Sequence, residues 1–167
     1  MYKAPEQFEI PNEVKEYQSD CEALGMIQDL ENWYVTPEWS QKFKKHWEAL
    51  LNLAEAGEPW AQYNLGSMYF GGYLYSSRDD YEENYESDVM TGSYWLEKCA
   101  KQGFVAAVDT LVVVGVGDEA ERLREIYRKV EKEHPEYIQK WEENENIPVI
   151  LPLLFEEVWK IAYGKDS

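Results

Sequence analysis

The residues best suited to recognition or chemistry crowd into one stretch: Tyr73-Leu74-Tyr75-Ser76-Ser77-Arg78-Asp79-Asp80-Tyr81-Glu82-Glu83-Asn84-Tyr85-Glu86-Ser87-Asp88. Acids alternate here with four tyrosines. Carboxylates attract and orient a cationic surface, and tyrosines add rigid, amphipathic contact area at low entropic cost. The pattern therefore points to recognition of a basic protein. Its candidate partner-binding residues are Tyr75, Asp79, Asp80, Tyr81, Glu82, Glu83, Tyr85, Glu86 and Asp88. Calcium binding is the competing use for so many acids. An EF-hand loop needs Gly at its sixth position and Glu at its twelfth, and a loop starting at Asp79 has Asn84 and Met90 there. No metal site and no cofactor are assigned.

Other constellations point away from catalysis. His46 and His134 have no neighbouring cysteine or second histidine, so both are expected as surface or cap residues rather than ligands or general bases. There is no Gly-x-Ser-x-Gly elbow, no Gly-Lys-Ser/Thr phosphate loop and no His-Glu-x-x-His. The pairs Glu82/Glu83, Glu142/Glu143 and Glu156/Glu157 leave a carboxylate-dependent hydrolase as a distant alternative, since such pairs arise by chance in an acidic chain. Leu111 to Ala120 reads as a β-branched run followed by Gly115-x-Gly117-x-x-Ala120, like a dinucleotide-binding turn. Asp118 and Glu119 would set two negative charges beside the phosphates, and no βαβ alternation follows. A buried helix ended by glycine is the better account. The chain is not expected to be an enzyme.

Charge narrows the partner. The formal net charge is −17. Nucleic acid and anionic membranes call for clustered Lys and Arg, so both are disfavoured as partners. Acid is unevenly spread, with −6 over residues 1–35, −5 over 71–92, −4 over 118–145 and zero over 93–117. Apolar residues at 44% and aromatics at 15% are enough for a folded core, and 167 residues suit one domain. Two cysteines, Cys21 and Cys99, make no disulfide framework and suggest a reducing compartment, although the count leaves a bridge between them open. No apolar run approaches the roughly 20 residues needed to span a bilayer, and the first residues lack an apolar signal region. A soluble, cytoplasmic protein is expected.

The elements that must position the acidic stretch show a repeat. A shift of 46 positions carries Leu50 to Leu96, Ala54 to Ala100, Gly57 to Gly103, Ala61 to Ala107 and Leu65 to Leu111. Small residues at matched places suit helices whose backbones approach closely, and glycine after each apolar helix suits an αL cap. A fixed period of this length marks a stacked helical repeat. Ala61, Leu65, Gly66, Tyr69, Gly71, Trp95, Lys98, Ala100, Gln102, Gly103 and Ala107 resemble the signature of Sel-one-like repeats, relatives of the tetratricopeptide repeat. The resemblance covers about Leu50 to Leu111 and implies antiparallel helix pairs that stack and bind other proteins. The chain departs from the family pattern in two places. Cys99 stands where the second alanine is usual, and the turn between the two helices is expanded to 71–88.

Periodicity predicts a polar arm over 1–11, then a helix from Asn12 to about Leu30 with Val14, Tyr17, Cys21, Leu24 and Ile27 on one face. Thr36 and Pro37 open the next, which runs to about Ala56. Helices follow over 59–70, from about Asp88 to Gln102, and over 104–116. A further helix is capped by Asp118 with Glu121 completing a capping box, and a short one surrounds Trp141. The apolar segment from Ile147 to Tyr163 is expected to close the last unit.

The expectation is an all-α fold in one domain, with antiparallel helix pairs stacked as a short Sel-one-like, TPR-like solenoid and helical caps at both ends. Residues 1–35 form the arm and first helix, 36–117 the repeat core with its acidic insert at 71–88, and 118–167 the C-terminal cap. The expected function is an acidic protein-binding module. Most specifically it is an immunity or inhibitor protein that neutralises a basic toxin by direct binding, a nuclease being the case in view. The main alternative is a general adaptor or scaffold that binds through a concave apolar face.

Overall fold

Two glycines, at matched positions of the 46-residue period, end helices in the same way. Gly57 and Gly103 have φ of 94° and 100°, the left-handed region where a side chain is strained. The Gly57 amide bonds to the Ala54 carbonyl at 3.0 Å and the Glu58 amide to that of Leu53 at 3.0 Å, the two bonds of a Schellman cap. The Gly103 amide repeats the first of these on Ala100, also at 3.0 Å.

A computed structural model describes residues 5–27, 35–71, 74–140 and 148–164, with backbone alone at 25–27 and 139–140. The protein is all-α in class. Among the described residues there are seven α-helices: α1 (Asn12–Ile27), α2 (Pro37–Glu55), α3 (Pro59–Gly71), α4 (Arg78–Lys101), α5 (Val105–Val114), α6 (Asp118–Glu133) and α7 (Pro152–Tyr163). Each packs on its successor through α5 and α6, α6 packs on α7, and α5 also packs on α7. No helix among the described residues is long and apolar enough to cross a membrane.

The local start signals act as chemistry dictates at α2. Thr36 is extended, its Oγ1 accepts the Trp39 amide at 3.4 Å, and Pro37 takes the first helical position. At α3 the Glu58 carboxylate accepts the Ala61 amide at 2.5 Å, and burial raises the Glu58 pKa. Asp118 does not cap α6. Gly117, with φ of 98°, holds the N-cap position, and no side chain bonds there. Glu121 instead binds Arg124 at 2.5 Å, so the expected capping box is absent. The reason lies in α5, whose terminal carbonyls need a donor. Arg124 supplies it, bonding the Val112 carbonyl at 2.9 Å and also the Gly115 carbonyl.

The interior is built as two clusters. Val14, Tyr17, Leu24, Phe43, Leu50, Leu65 and Met68 centre one, on α1 to α3, joined by Trp95 of α4. Leu96, Cys99, Phe104, Leu111, Leu123, Leu154 and Trp159 centre the other, on α4 to α7. Trp60 packs against both. Its indole also donates to the Phe8 carbonyl at 3.0 Å, and the Phe8 ring lies 5.3 Å from that of Phe104. The arm over residues 5–11 is thereby tied to the core. All eight apolar residues of the 46-residue correspondence are buried, from Leu50 and Leu96 to Leu65 and Leu111. In the first copy Gln62 donates to the Ala54 carbonyl at 3.0 Å. In the second the Trp159 indole of α7 donates to the matched carbonyl of Ala100 at 2.7 Å. So α7 covers the end of the second copy, where the sequence placed a cap.

The stretch read as a helix around Trp141 is different at both edges. Ile138–Lys140 and Pro148–Ile150 form a two-stranded antiparallel ribbon, with Ile138 opposite Ile150. Pro135 stops α6, and Pro148 takes an outer position of the pairing, where its missing amide does least harm. Trp141 itself lies outside the described residues.

α3 and α4 approach closely at a glycine pair. A Cβ at Gly92 would come within 2.7 Å of the Gly66 carbonyl and 2.8 Å of the Phe70 ring, and one at Gly66 within 2.9 Å of Leu96. Gly92→Ala is therefore expected to force α3 and α4 apart and destabilise by about 1–3 kcal/mol. Thermal melting checks this. An unchanged midpoint would show that the helices do not meet there.

Candidate functional site

From Arg78 onward the acidic stretch is a helix, not a loop. Ser77 is extended and its Oγ accepts the Asp80 amide at 3.2 Å, so Arg78 opens α4, which then runs 24 residues to Lys101. Asp79 and Asp80 occupy the first turn, where carboxylates favour the positive helix end. Arg78 pairs with Glu82 one turn on at 2.8 Å, and Asn84 donates to the Asp80 carbonyl at 2.8 Å. The expected start near Asp88 was thus ten residues late, and the expansion of the turn mostly lengthens the second helix. Ser77-x-x-Asp80 was the available signal, together with the lack of any Gly or Pro from Leu74 to Thr91.

This geometry sorts the nine candidate residues. Asp79, Glu82, Glu83, Tyr85 and Glu86 are exposed on the outward side of α4. Asp80 is exposed too and borders a groove of about 500 Å³ between α2 and the loop into α4. Tyr75, Leu74 and Trp47 give this groove its apolar wall, and Lys44, Glu48 and Asn84 its polar rim. Lys44, Trp47 and Glu48 of α2 and Asn84 of α4 were not among the candidates. The α2 residues could not be placed beside residues 74–84 without the fold.

Asp88 has another role. It is half-buried, and its Oδ2 accepts the Tyr75 hydroxyl at 2.5 Å. The Tyr75 carbonyl in turn accepts the Val35 amide at 3.1 Å, which holds the loop against the entry to α2. Nearby the Trp47 indole donates to the Tyr69 hydroxyl at 2.8 Å. Tyr81 bridges the aromatic row, its ring 6.4 Å from Tyr75 and 5.8 Å from Tyr85. Burial, with Asp88 beside it, raises the Tyr75 phenol far above its ordinary range, and burial also raises Tyr69, Tyr81 and Asp88. Tyr69, Tyr75 and Tyr81 therefore stay neutral at physiological pH.

For Asp88 the raised folded pKa fixes a sign. Its ionised form is disfavoured by folding, so its contribution to stability is fullest below the unfolded value of 3.8 and is lost as pH rises through the folded one. Asp88→Asn, which keeps an acceptor for Tyr75, is expected to melt above the wild type at pH 7, with the difference closing toward pH 3. A variant that melts lower at pH 7 would show that the charge itself holds the loop.

Outside this region His46 departs from the surface role expected of it. Its Nε2 lies 2.6 Å from Asp20 Oδ2, its side chain is 14% exposed, and the rings of Tyr17 and Phe43 pack on it. His134 is a cap, as expected, at the C-terminus of α6, stacked on Tyr137 and bonded to Glu136 at 2.9 Å. Cys21 and Cys99 are free thiols, both with pKa raised by burial. The β-branched run at 111–114 belongs to helix α5, so the glycines after it form a helix–helix joint. Of the glutamate pairs, Glu82/Glu83 lies on the exposed helix and Glu156 is paired with Lys160 at 3.2 Å. Glu142/Glu143 falls outside the described residues.

Compared with protein-family models, curated proteins and solved structures, the chain finds no significant match.

Proposed function

We propose that this chain is an acidic protein-binding module, built as a short stack of Sel-one-like helix pairs, that holds a basic protein on the first turns of α4. The observation that carries the reading is the row of exposed carboxylates on an ordered helix beside an aromatic groove. Asp79, Asp80, Glu82, Glu83 and Glu86 stand along α4 with Arg78 as the one cation among them, and Trp47 and Tyr75 wall the adjoining groove. An ordered helix presents these charges in fixed register, so less conformational entropy is lost on binding than with a loop. The matched glycine caps and the matched buried Leu and Ala positions support the stacked-repeat architecture.

The most specific form of the proposal is an immunity or inhibitor protein that neutralises a basic toxin. A nuclease fits the demand best, because it must carry a positive groove to hold phosphates and a negative surface competes for that groove. Such an inhibitor must also associate before the toxin reaches its substrate. Steering by net charge raises on-rates by roughly ten- to a thousand-fold. A chain of −17 with its acid displayed on α4 meets both needs. The test is to recover the protein that co-purifies with this chain from its own cells and mix the two in purified form. The proposal expects a basic partner whose toxic activity is blocked at a one-to-one ratio. An acidic partner, or one bound without loss of activity, overturns it.

A further inference from the structure

In the groove between α2 and the loop into α4, the aromatic walls have their polar ends already engaged. The Trp47 indole donates to the Tyr69 hydroxyl and the Tyr75 hydroxyl to Asp88, so both rings are held in place and what they offer is ring surface. Among the described residues no cation lies over either ring. The rim differs, because its acceptors are open. The Glu48 and Asp80 carboxylates form no ion pair and no hydrogen bond among the described residues. Asn84 donates its amide to the Asp80 carbonyl, and its Oδ1 has no donor there. At about 500 Å³ the groove has the size of a small-ligand site, enough for one long side chain.

The open charges set the sign of the occupant. Lys44 is the rim's one cation among the described residues, and it too is unpaired. A bound anion would meet one charge of the right sign and two of the wrong, and a bound cation the reverse. Aromatic walls edged by acceptors suit a guanidinium better than an ammonium. The guanidinium is planar and more weakly hydrated, stacks on a ring, and donates to two acceptors at once. We infer that this groove takes an arginine side chain of the partner, its guanidinium against the Trp47–Tyr75 wall and bonded to Glu48, Asp80 and the Asn84 carbonyl. The inference rests on the proposed basic partner and deepens it by naming the anchor. An arginine seated in an aromatic pocket is the kind of contact that dominates the energy of an interface.

Titration with a blocked Gly-Arg-Gly tripeptide, followed at the Trp47 indole by NMR, tests this directly. Trp47→Phe identifies the signal among the seven indoles of the chain. The arginine peptide is expected to shift that signal saturably. A lysine counterpart should bind a few-fold more weakly, and a citrulline one, which keeps the shape without the charge, about tenfold more weakly. Glu48→Gln should weaken the arginine peptide a few-fold, and Lys44→Gln should tighten it. An unmoved Trp47, citrulline or lysine bound as well as arginine, or a Lys44→Gln variant that binds more weakly would each overturn the inference. The tripeptide carries one charge, so neutralising Asp79, Glu82 and Glu83 should leave its affinity within about twofold at physiological salt. A failed titration therefore condemns the groove alone. Undiminished partner binding by that neutral variant would condemn the acidic row alone.

Discussion

Leu65→Asp is expected to abolish cooperative unfolding, or to lower the melting midpoint by roughly 6–20 °C or more. Leu65 is fully buried on α3, and its cluster draws side chains from α1, α2 and α4. α3 packs on both α2 and α4, so most of its surface is internal. An ionised carboxylate there would have neither water nor a cation, and an unpaired buried charge costs about 3–5 kcal/mol or more. Domains are stable by only about 5–15 kcal/mol, so a large share of the whole is removed. Leu65→Ala is the calibrating variant, expected to cost about 2–5 kcal/mol through lost contact and a cavity. If the aspartate melts no lower than the alanine, the side chain reaches solvent and the placement of α3 is wrong.

Reversing Asp79, Asp80, Glu82 and Glu83 to lysine should have the largest effect on binding. Each reversal adds two charges, so the variant carries −9 in place of −17. The loss is concentrated on the surface proposed to meet the partner, and affinity for a basic protein is expected to fall by at least a hundredfold at physiological salt. The helical state of this stretch adds a complication that a loop would not have. Lysines in the first turn oppose the helix dipole at about 0.3–1 kcal/mol each and remove the Arg78–Glu82 pair, so the end of α4 will fray. Asn and Gln at the same four positions leave the first turn tolerable and still remove the negative charge. Circular dichroism of both sets should match the wild type except for a turn or so of helix. If the neutral set, folded, still binds its partner as tightly as the wild type, the acids only keep the protein in solution.

Much of the core was legible because its signals are local. The matched Leu, Ala and Gly positions define where helices bury and where they stop, and Thr36-Pro37 opens α2 as its chemistry requires. Failures occurred where a long-range demand outweighed a local pattern. Glu121 was free to complete a capping box until Arg124 was drawn to the α5 carbonyls and took Glu121 with it. The Gly66–Gly92 approach was half visible, since only the contact between α3 and α4 gives Gly92 its reason. In the acidic stretch, expectation of a turn between repeat helices overrode a valid N-cap at Ser77 and a breaker-free run behind it. The tyrosines and acids were found, but their division was not. That Asp88 turns inward to Tyr75 while Glu82, Glu83 and Glu86 face water follows only from which side of α4 packs.

The most direct measurement is the association rate of this protein with its co-purified partner, followed by stopped flow as salt is raised from about 20 to about 500 mM, a range over which surface charges pass from weakly to strongly screened. The account predicts a fall of tenfold or more for the wild type, and a slow, nearly salt-independent rate for the variant neutral at Asp79, Asp80, Glu82 and Glu83. A wild-type rate that is flat across this range, or a neutral variant that keeps the wild-type slope, would contradict it.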